Sequence, residues 1–360
     1  MPQIPLVDVK AQYAPLKDEL KERIAEVLDS GRFILGPNVC AFEEEAAAYL
    51  GVEHAIGVAN GTDALVIALD ALDVGPGDEV ICPSFTFYAT AESIARRGAK
   101  PVFVDIDART MNLDADVVLE RVTERTKAII PVHLFGRAAP LDELAQLGIP
   151  IVEDTAQAFG AEGIATTGVC STFSFFPTKN LFALGDAGLV AANDQELADR
   201  VKLLRFHGSR EKKDFHAVGY NSRLDELQAA VLRLFLGELE GWNRSRREAA
   251  ARYEELGLGE HCDLPADEAA HVYHMYVVRS SERDRLREAL NAADIANASY
   301  YVTPLHLQPA LRYLGWKEGS LPETERAARE NLALPMWAGI PAETQERVVS
   351  VIREAAAVRA

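Results

Sequence analysis

The sequence predicts an α/β protein, with a mostly parallel central sheet in a large domain and a small α+β domain at the C-terminal end. Through the first two thirds of the 360 residues, short runs rich in Val and Ile alternate with helical patterns. This alternation is typical of a parallel sheet that carries helices on both faces. After Arg223 the pattern changes to one long helical segment. We therefore predict a large domain at residues 1–240 and a small domain at residues 241–360.

The strands of the large domain are predicted from apolar runs that are too short for helices. In chain order they are EVIC, KPVFVD, KAIIPVHL, IPIVED, STFSFF and GLVAAN. The helices have apolar residues three and four positions apart, as Leu65, Ala68 and Leu69 are in the first one. In chain order they are TDALVIALDAL, YATAESIARRG, PLDELAQLG and DQELADRVKLLRFHG. This order of elements predicts βαβ units.

The last third begins with helical periodicity over residues 223–256, and Gly241 predicts a break within it. Ser222 followed by Asp225 fits a capping box at the start of this segment. The remaining patterns predict a strand and two helices of a small α+β domain. They are HVYHMYVVR, SERDRLREALNAAD and ETQERVVSVIREAAAV.

The formal net charge of −18 limits the classes of partner. It predicts repulsion of nucleic acids and anionic membranes at long range. The first residues lack the pattern of a signal peptide, and no apolar run is long enough to span a bilayer. The four cysteines are far apart and form no CxxC pair, which indicates neither a zinc site nor a disulfide framework. We therefore expect a cytoplasmic protein without a metal, a nucleic-acid partner or a membrane partner.

Several common catalytic motifs are absent from the sequence. It contains no G-x-G-x-x-G, no Walker A motif, no HExxH and no G-x-S-x-G. These absences argue against four kinds of chemistry: dinucleotide redox chemistry, P-loop phosphoryl transfer, zinc hydrolysis and lipase-type hydrolysis.

Lys179 lies in the apolar segment FSFFPTKNLFALGDAGLV. Burial of an unpaired ammonium group is unfavourable. The head of this side chain therefore either reaches solvent or takes part in chemistry as an amine. Both interpretations stay open for the lysine considered alone.

Three other segments place candidate ligand groups at strand ends. In NGTDAL, Gly61 and Thr62 open a helix whose amides could bind a phosphate, although a simple helix cap explains the same pattern. In IPIVEDTAQ, a strand ends at Glu153 and Asp154, and an acid there either caps a helix or pairs with a ligand cation. In PSFTFYAT, Phe87 follows a strand, where core packing is the default interpretation.

Taken together, these groups are what a pyridoxal 5′-phosphate (PLP) enzyme needs. A lysine forms a Schiff base with the aldehyde of the cofactor, and a carboxylate keeps the pyridine nitrogen protonated. A helix N-terminus binds the phosphate, and an aromatic side chain meets the flat ring. The combination predicts PLP as the cofactor.

Segments throughout the chain resemble the nucleotide-sugar aminotransferases of the DegT/DnrJ/StrS family, which are fold-type I PLP-dependent transferases. The segments that carry the resemblance are GRFILGPNVCAFEEEAAAYLG, ANGTDALVIALDALDVGPGDEVICPSFTFYATAESI, KPVFVDID, TKAIIPVHLFG, IVEDTAQAFGA, FFPTKNLFALGDAGLV, GYNSRLDELQAAVL and PLHLQPA.

The resemblance implies a role for each matching residue. Lys179 in FPTKN matches the Schiff-base lysine, and Asp154 in EDTAQ matches the partner of the pyridinium nitrogen. Gln157 is expected near the phenolic oxygen of the cofactor, and Phe87 is expected to stack on its ring. The implied phosphate ligands are Gly61, Thr62, Ser174 and, across a dimer interface, Asn221. The implied contacts to the nucleotide-sugar are Tyr301 and His306, in YYVTPLHLQP.

The resemblance also implies the reaction. The family moves an amino group, here expected from L-glutamate, to the keto group of a sugar linked to a nucleoside diphosphate, in a homodimer with shared active sites. A dehydrating relative has a histidine at the Schiff-base position, so Lys179 favours transamination. The segments YYV and LPMWA depart from the family pattern and leave the substrate open. The alternatives are an aminotransferase for a keto-inositol and a PLP-binding regulatory protein without turnover.

Overall fold

The computed structural model describes residues 3–266 and 270–357. The strands in these residues are β1 (His54–Val58), β2 (Glu79–Pro83), β3 (Lys100–Val104), β4 (Thr126–Ile129), β5 (Val152–Asp154), β6 (Cys170–Ser174), β7 (Gly188–Ala192), β8 (Tyr276–Arg279) and β9 (Asn331–Leu334). The α-helices are α1 (Val9–Tyr13), α2 (Lys17–Ser30), α3 (Pro37–Leu50), α4 (Gly61–Ala71), α5 (Tyr88–Arg96), α6 (Ala115–Leu119), α7 (Leu141–Ala145), α8 (Gln195–Leu204), α9 (Glu226–Leu236), α10 (Leu239–Glu255), α11 (Arg283–Ala292), α12 (Pro322–Glu330) and α13 (Ala342–Ala357).

The first seven strands lie side by side in the order β3-β2-β4-β5-β6-β7-β1. Parallel bridges from Ile129 to Ile151 and from Val132 to Asp154 join β4 to β5. Of these seven strands, β7 runs opposite to the rest, because it pairs antiparallel with both β6 and β1. The prediction of a mostly parallel sheet is therefore confirmed.

Helices cover both faces of this sheet, and β7 shows how its side chains are divided between them. Val190 and Ala192 belong to the core cluster formed with α4, α5 and α8. Leu189 and Ala191 belong to the cluster formed with α3 and α9. Successive side chains of a strand point to opposite faces, so each cluster lies on its own face of the sheet. Because both faces are covered, β7 is buried along its full length.

A second core is formed by the C-terminal part of the chain. The antiparallel pair β8–β9 packs with α10, α11 and α13 through Tyr253, Leu286, Leu332 and Val348. None of the helices within residues 3–266 and 270–357 combines the length and apolar character needed to cross a bilayer.

Two details predicted for residues 222–241 are wrong. The helical segment breaks at Gly237 and Glu238, between α9 and α10, whereas Gly241 lies inside α10. Ser222 does not cap α9, because its hydroxyl accepts a hydrogen bond (3.1 Å) from the amide of Ala59 at the end of β1. Asp225 occupies the N-cap position and makes no capping bond with its side chain.

The predicted division at residue 240 falls in the first turn of α10 and stays a prediction. Leu239 at the start of this helix packs in a core cluster of the large sheet, and Tyr253 near its end packs in the C-terminal core. One helix therefore contacts both cores.

Glu226 in the first turn of α9 stabilises the start of α3. The carboxylate is 1% exposed and accepts hydrogen bonds from the amides of Gly36 (3.0 Å), Asn38 (2.5 Å) and Val39 (3.2 Å). These are amides at a helix N-terminus, which have no partner within the helix. We expect Glu226→Ala to lower the free energy of unfolding by about 2–3 kcal/mol, since three amides, two partly buried and one buried, lose a charged acceptor. Denaturant unfolding of the two proteins measures this difference.

The matched control for this prediction is Glu44→Ala. Glu44 is exposed on α3, and such surface substitutions change stability by about 0.5 kcal/mol or less. Equal midpoints for the Glu226 and Glu44 variants would show that the buried carboxylate does not stabilise α3.

Candidate active site

A cavity of about 570 Å³ lies where the parallel strands of the large sheet end. Asp154 is the last residue of β5, and Ser174 is the last residue of β6. Eight of the ten predicted site residues line this cavity. They are Gly61, Thr62, Phe87, Asp154, Gln157, Ser174, Lys179 and Tyr301.

The N-terminus of α4 forms one corner of the cavity. Asn60 caps the helix by accepting a hydrogen bond (2.8 Å) from the amide of Asp63, so Gly61 and Thr62 begin the first turn. A Cβ atom on Gly61 would come within 2.6 Å of the Ser174 side chain, and one on Gly188 within 2.4 Å of the Asn60 backbone. Glycines therefore let the helix start lie directly against β6 and β7. The exposed amides and nearby hydroxyls suit a phosphate group.

Asp154 lies at the buried end of the cavity and is 5% exposed. Its Oδ2 atom accepts a hydrogen bond (2.8 Å) from the hydroxyl of Thr90, and its Oδ1 atom accepts one (3.3 Å) from the amide of Ala156. Burial raises the pKa of this carboxyl, and the Thr90 bond, the Ala156 bond and the charge of Lys179 oppose that shift. A buried carboxylate held by two donors is suited to a cationic ring nitrogen.

Lys179 reaches the same cavity from the turn after β6, where its amide donates to the carbonyl of Phe176 (2.8 Å). Burial lowers the pKa of the Lys179 amine to about 8, although the negative charge of Asp154 acts in the opposite direction. At pH 7 about one tenth of the amine is therefore uncharged, far more than for an ordinary lysine. An uncharged amine is a nucleophile and a base.

Gln157 and Tyr301 form a fixed pair on another wall. The Oε1 atom of Gln157 accepts a hydrogen bond (2.8 Å) from the amide of Phe135, and its Nε2 atom donates to the Tyr301 hydroxyl (3.1 Å). The Tyr301 ring packs edge-on against Phe85, with centroids 6.0 Å apart. These contacts fix which end of the Gln157 amide faces Tyr301.

Phe87 is not packed in the core, although core packing is usual for an aromatic residue. Its ring is 57% exposed, and its centroid lies 6.3 Å from that of Tyr301. Because the ring lines the cavity and is open to it, one face is available to a flat ligand.

His306 does not line this cavity, and its contact to the nucleotide-sugar stays a prediction. The residue is 1% exposed, and both ring nitrogens are paired. Nδ1 lies 2.7 Å from the hydroxyl of Ser84, and Nε2 lies 3.1 Å from a carboxylate oxygen of Glu325. The ring joins the segment that carries Tyr301 to the end of β2.

Asn221 lies outside the cavity of its own chain. It is exposed, and its Oδ1 atom accepts a hydrogen bond (2.5 Å) from the Arg223 guanidinium. This placement is compatible with a contact to a second subunit and excludes Asn221 from the lining of its own cavity.

Glu153 and Asp154 end the same predicted strand, and their surroundings differ. Glu153 is fully buried away from the cavity and accepts hydrogen bonds from the amides of Ala165 (2.7 Å) and Gly168 (2.8 Å). Its Oε2 atom also lies 3.1 Å from Nε2 of His133. Glu153 and His133 are therefore structural residues that hold the loop before β6.

The family assignment follows from a sequence profile described as the DegT/DnrJ/EryC1/StrS aminotransferase family, which matches residues 15–353. The chain belongs to this family. It is an aminotransferase, and its cofactor is pyridoxal phosphate.

Three known proteins are similar to this chain over nearly its whole length. A pleiotropic regulatory protein of Geobacillus stearothermophilus is 48% identical, over 98% of each chain. A UDP-N-acetyl-3-dehydro-α-D-glucosamine 3-aminotransferase of Acidithiobacillus ferrooxidans is 43% identical, over 97% of each chain. The crystal structure of DesV from S. venezuelae with a ketimine intermediate superposes with a TM-score of 0.96, at 43% identity and 99% coverage of both chains. This agreement confirms the predicted fold class, a fold-type I PLP-dependent transferase.

The cavity of this aminotransferase fits pyridoxal phosphate. The start of α4 is exposed to the cavity beside the Ser174 hydroxyl, as a phosphate requires. Asp154 supplies a buried carboxylate for the ring nitrogen, and Phe87 supplies an open aromatic face. Lys179 is the one lysine among the described residues that line the cavity.

Asp186 and His274 are among the cavity residues that were not predicted from the sequence, and both side chains can carry charge. Asp186 lies in the loop before β7, and His274 lies just before β8. The pattern of HVYHMYVVR predicts a strand. It does not indicate that His274 reaches a site formed mainly by residues 60–186. Alternation of apolar residues indicates which side chains are buried. The pattern is the same whether a buried histidine lies in the core or lines a cavity.

Proposed function

We propose that this aminotransferase moves an amino group from L-glutamate to the keto group of a sugar linked to a nucleoside diphosphate, and that it works in the cytoplasm. The observation that carries the proposal is the single cavity that joins Lys179, Asp154 and the N-terminus of α4. The activity named for the A. ferrooxidans relative supports carbon 3 as the position of the keto group.

Pyridoxal phosphate, when bound, supplies an aldehyde that captures amines and a ring that withdraws electrons from the reacting carbon. In our proposal Asp154 keeps the ring nitrogen protonated and thereby maintains that withdrawal. Gly61, Thr62 and Ser174 bind the phosphate, and Phe87 and Gln157 orient the ring. Each of these residues lines the cavity.

Lys179 has two proposed roles, the covalent attachment of the cofactor and the transfer of protons. When it is free, its amine would take a proton from the α-carbon of the amino donor and would hold that proton for the later transfer. A base works best when its pKa lies near the working pH. The lowered pKa of Lys179, about 8, meets this condition.

Asn221 supports a homodimer with shared active sites. The residue is exposed on its own chain and lies outside the cavity, and the family resemblance implies a phosphate contact across the interface. A shared site requires that the cavity of each subunit be completed by the Asn221 of the other. In a C2 dimer the two contacts are then equivalent.

Subunit exchange tests this arrangement. Lys179→Ala and Asn221→Asp are each expected to be inactive, the second because a carboxylate would face the phosphate. After random exchange, half of the dimers contain one subunit of each kind. One of their two sites then carries both defects and the other carries neither, so about one quarter of the wild-type activity should return.

The exchange experiment needs independent proof that mixed dimers form, for example from two different affinity tags. Mixed dimers without activity would contradict the shared site and assign Asn221 to its own chain. Arg210→Ala, at another exposed residue, is the control and should keep full activity.

A substrate screen tests the proposed function. The protein is first treated with L-glutamate, and 2-oxoglutarate is measured. The aminated enzyme is then offered 3-keto and 4-keto sugars linked to UDP or dTDP, and a keto-inositol. We expect amino-sugar formation from a 3-keto nucleotide-sugar. Reaction with the keto-inositol alone would favour aminocyclitol synthesis. Absence of any turnover would favour a regulatory role, as the name of the G. stearothermophilus relative suggests for that protein.

A further inference from the structure

His274 lines the cavity but has no part in the roles proposed above. Its side chain is 1% exposed, and its Nδ1 atom is buried without a hydrogen-bond partner. Among the described side chains that line the cavity, His274 is the one with such an atom. Buried polar atoms without a partner are rare in proteins and call for an explanation.

The backbone of His274 is held firmly in place. Its carbonyl accepts a hydrogen bond (3.5 Å) from the buried guanidinium of Arg246, and the neighbouring Val272 amide donates to Gly136 (3.0 Å). A Cβ atom on Gly136, which has a φ of +105°, would lie 2.9 Å from the His274 nitrogen. The ring is therefore presented from a close-packed segment, and its unpaired nitrogen does not result from a loose loop.

Other strong acceptors near Lys179 already have donors. Both carboxylate oxygens of Asp154 accept hydrogen bonds, and the Oε1 atom of Gln157 accepts one from Phe135. Asp186 is exposed, so water competes for its carboxylate. Among the side chains that line the described cavity, His274 differs in having a buried ring nitrogen without a hydrogen-bond partner.

The charges around His274 favour the neutral ring. Burial lowers its pKa well below the ordinary value, and the positive charges of Lys179 and Arg246 lower it further. Arg246 is fully buried and donates to backbone carbonyls, including that of Tyr273 (3.1 Å). A neutral imidazole keeps one nitrogen with a free lone pair.

We propose that His274 is a positioning residue for Lys179, and that its uncharged ring accepts a hydrogen bond from the Lys179 amine whenever that amine is free of the cofactor. The bond holds the amine in the cavity between its departure from the cofactor and its return. This inference rests on the proposed role of Lys179.

Competitive chemical labelling tests the proposal on the full chain freed of cofactor. Trace acetylation across a range of pH, with quantification of the peptide that contains Lys179, gives the pKa and reactivity of its amine. His274→Phe keeps a ring and removes the acceptor, so the ammonium form loses a stabilising contact. We expect the Lys179 profile to move to lower pH by about one unit. His274→Gln restores an acceptor, so the Lys179 profile should move most of the way back to its wild-type position. Labelling of exposed Lys21 should stay unchanged in both variants.

The holoenzymes supply a second measurement. We expect His274→Phe to lower kcat by about tenfold with little change in KM, since a misplaced base affects the chemical step.

If the Phe variant does not fold, NMR of the histidine ring nitrogens replaces the labelling experiment, and Lys179→Met should shift the His274 signal. An unchanged Lys179 profile in His274→Phe, or an unchanged His274 signal in Lys179→Met, would overturn the proposal. Borohydride reduction that places the cofactor on another lysine would instead overturn the role of Lys179, so the two failures are distinguishable.

Discussion

Lys179→Ala is expected to abolish turnover while the protein stays folded. The substitution removes the amine that attaches the cofactor and the base that moves the proton, and loss of a general base alone costs about 10²–10⁴-fold in rate. Because both roles disappear together, we expect activity at least about 10⁴-fold below the wild-type value. Glutamate-dependent formation of 2-oxoglutarate measures the loss. Borohydride reduction of the wild-type holoenzyme should place the cofactor on the peptide that contains Lys179.

Lys202→Ala is the matched control for this experiment. Lys202 is exposed on α8, distant in sequence from the cavity residues, and its removal should leave both activity and labelling unchanged. Turnover by Lys179→Ala near the wild-type rate, or cofactor recovered on a different peptide, would contradict the role of Lys179.

The large domain was predictable because its elements obey simple rules. A parallel sheet covered on both faces requires continuous apolar strands, and EVIC, STFSFF and GLVAAN satisfy this rule. The cavity was predictable for a related reason. Polar residues that directly follow such strands, as Asp154 and Ser174 do, must gather at one edge of the sheet.

The error at Ser222 occurs where a polar side chain has several partners within reach. Ser222 fits a cap for the helix that follows it, but the folded chain brings Ala59 to its hydroxyl. The surroundings of His306 depend on the fold in the same way, because its two ring nitrogens pair with Ser84 and Glu325, which lie 222 and 19 positions away in the chain. Such pairings depend on tertiary contacts, which the local pattern around a residue does not encode.

The same limit explains why His274 was missed. Its segment carries the alternation of a half-buried strand, and the strand β8 forms close to the predicted position. What places the ring in the cavity is the contact of this segment with the turn at Gly136, almost 140 positions earlier. Sequence patterns therefore predict the elements and the edge of the sheet where the site lies, whereas the contribution of the C-terminal part of the chain is evident only in the folded structure.

Asp154→Asn is expected to reduce turnover by about 10²–10³-fold, the usual effect of removing one electrostatic group from an active site. Asparagine has nearly the same shape and can still accept a hydrogen bond from Thr90, so the cavity should keep its form and still bind pyridoxal phosphate. What is lost is the negative charge that keeps the ring nitrogen protonated. Steady-state kinetics with glutamate measure the rate, and equilibrium dialysis measures cofactor affinity.

A second consequence of Asp154→Asn concerns Lys179. The charge of Asp154 raises the pKa of the Lys179 amine against the larger effect of burial. Without that charge the folded-state pKa should fall further below 8, so acetylation of Lys179 in the cofactor-free protein should extend to lower pH. Asp142→Asn, at an exposed position on α7, is the matched control and should change neither the rate nor the labelling profile. If Asp154→Asn turned over substrate at the wild-type rate, Asp154 would only connect β5 to Thr90 through a hydrogen bond. Another group would then keep the ring nitrogen protonated.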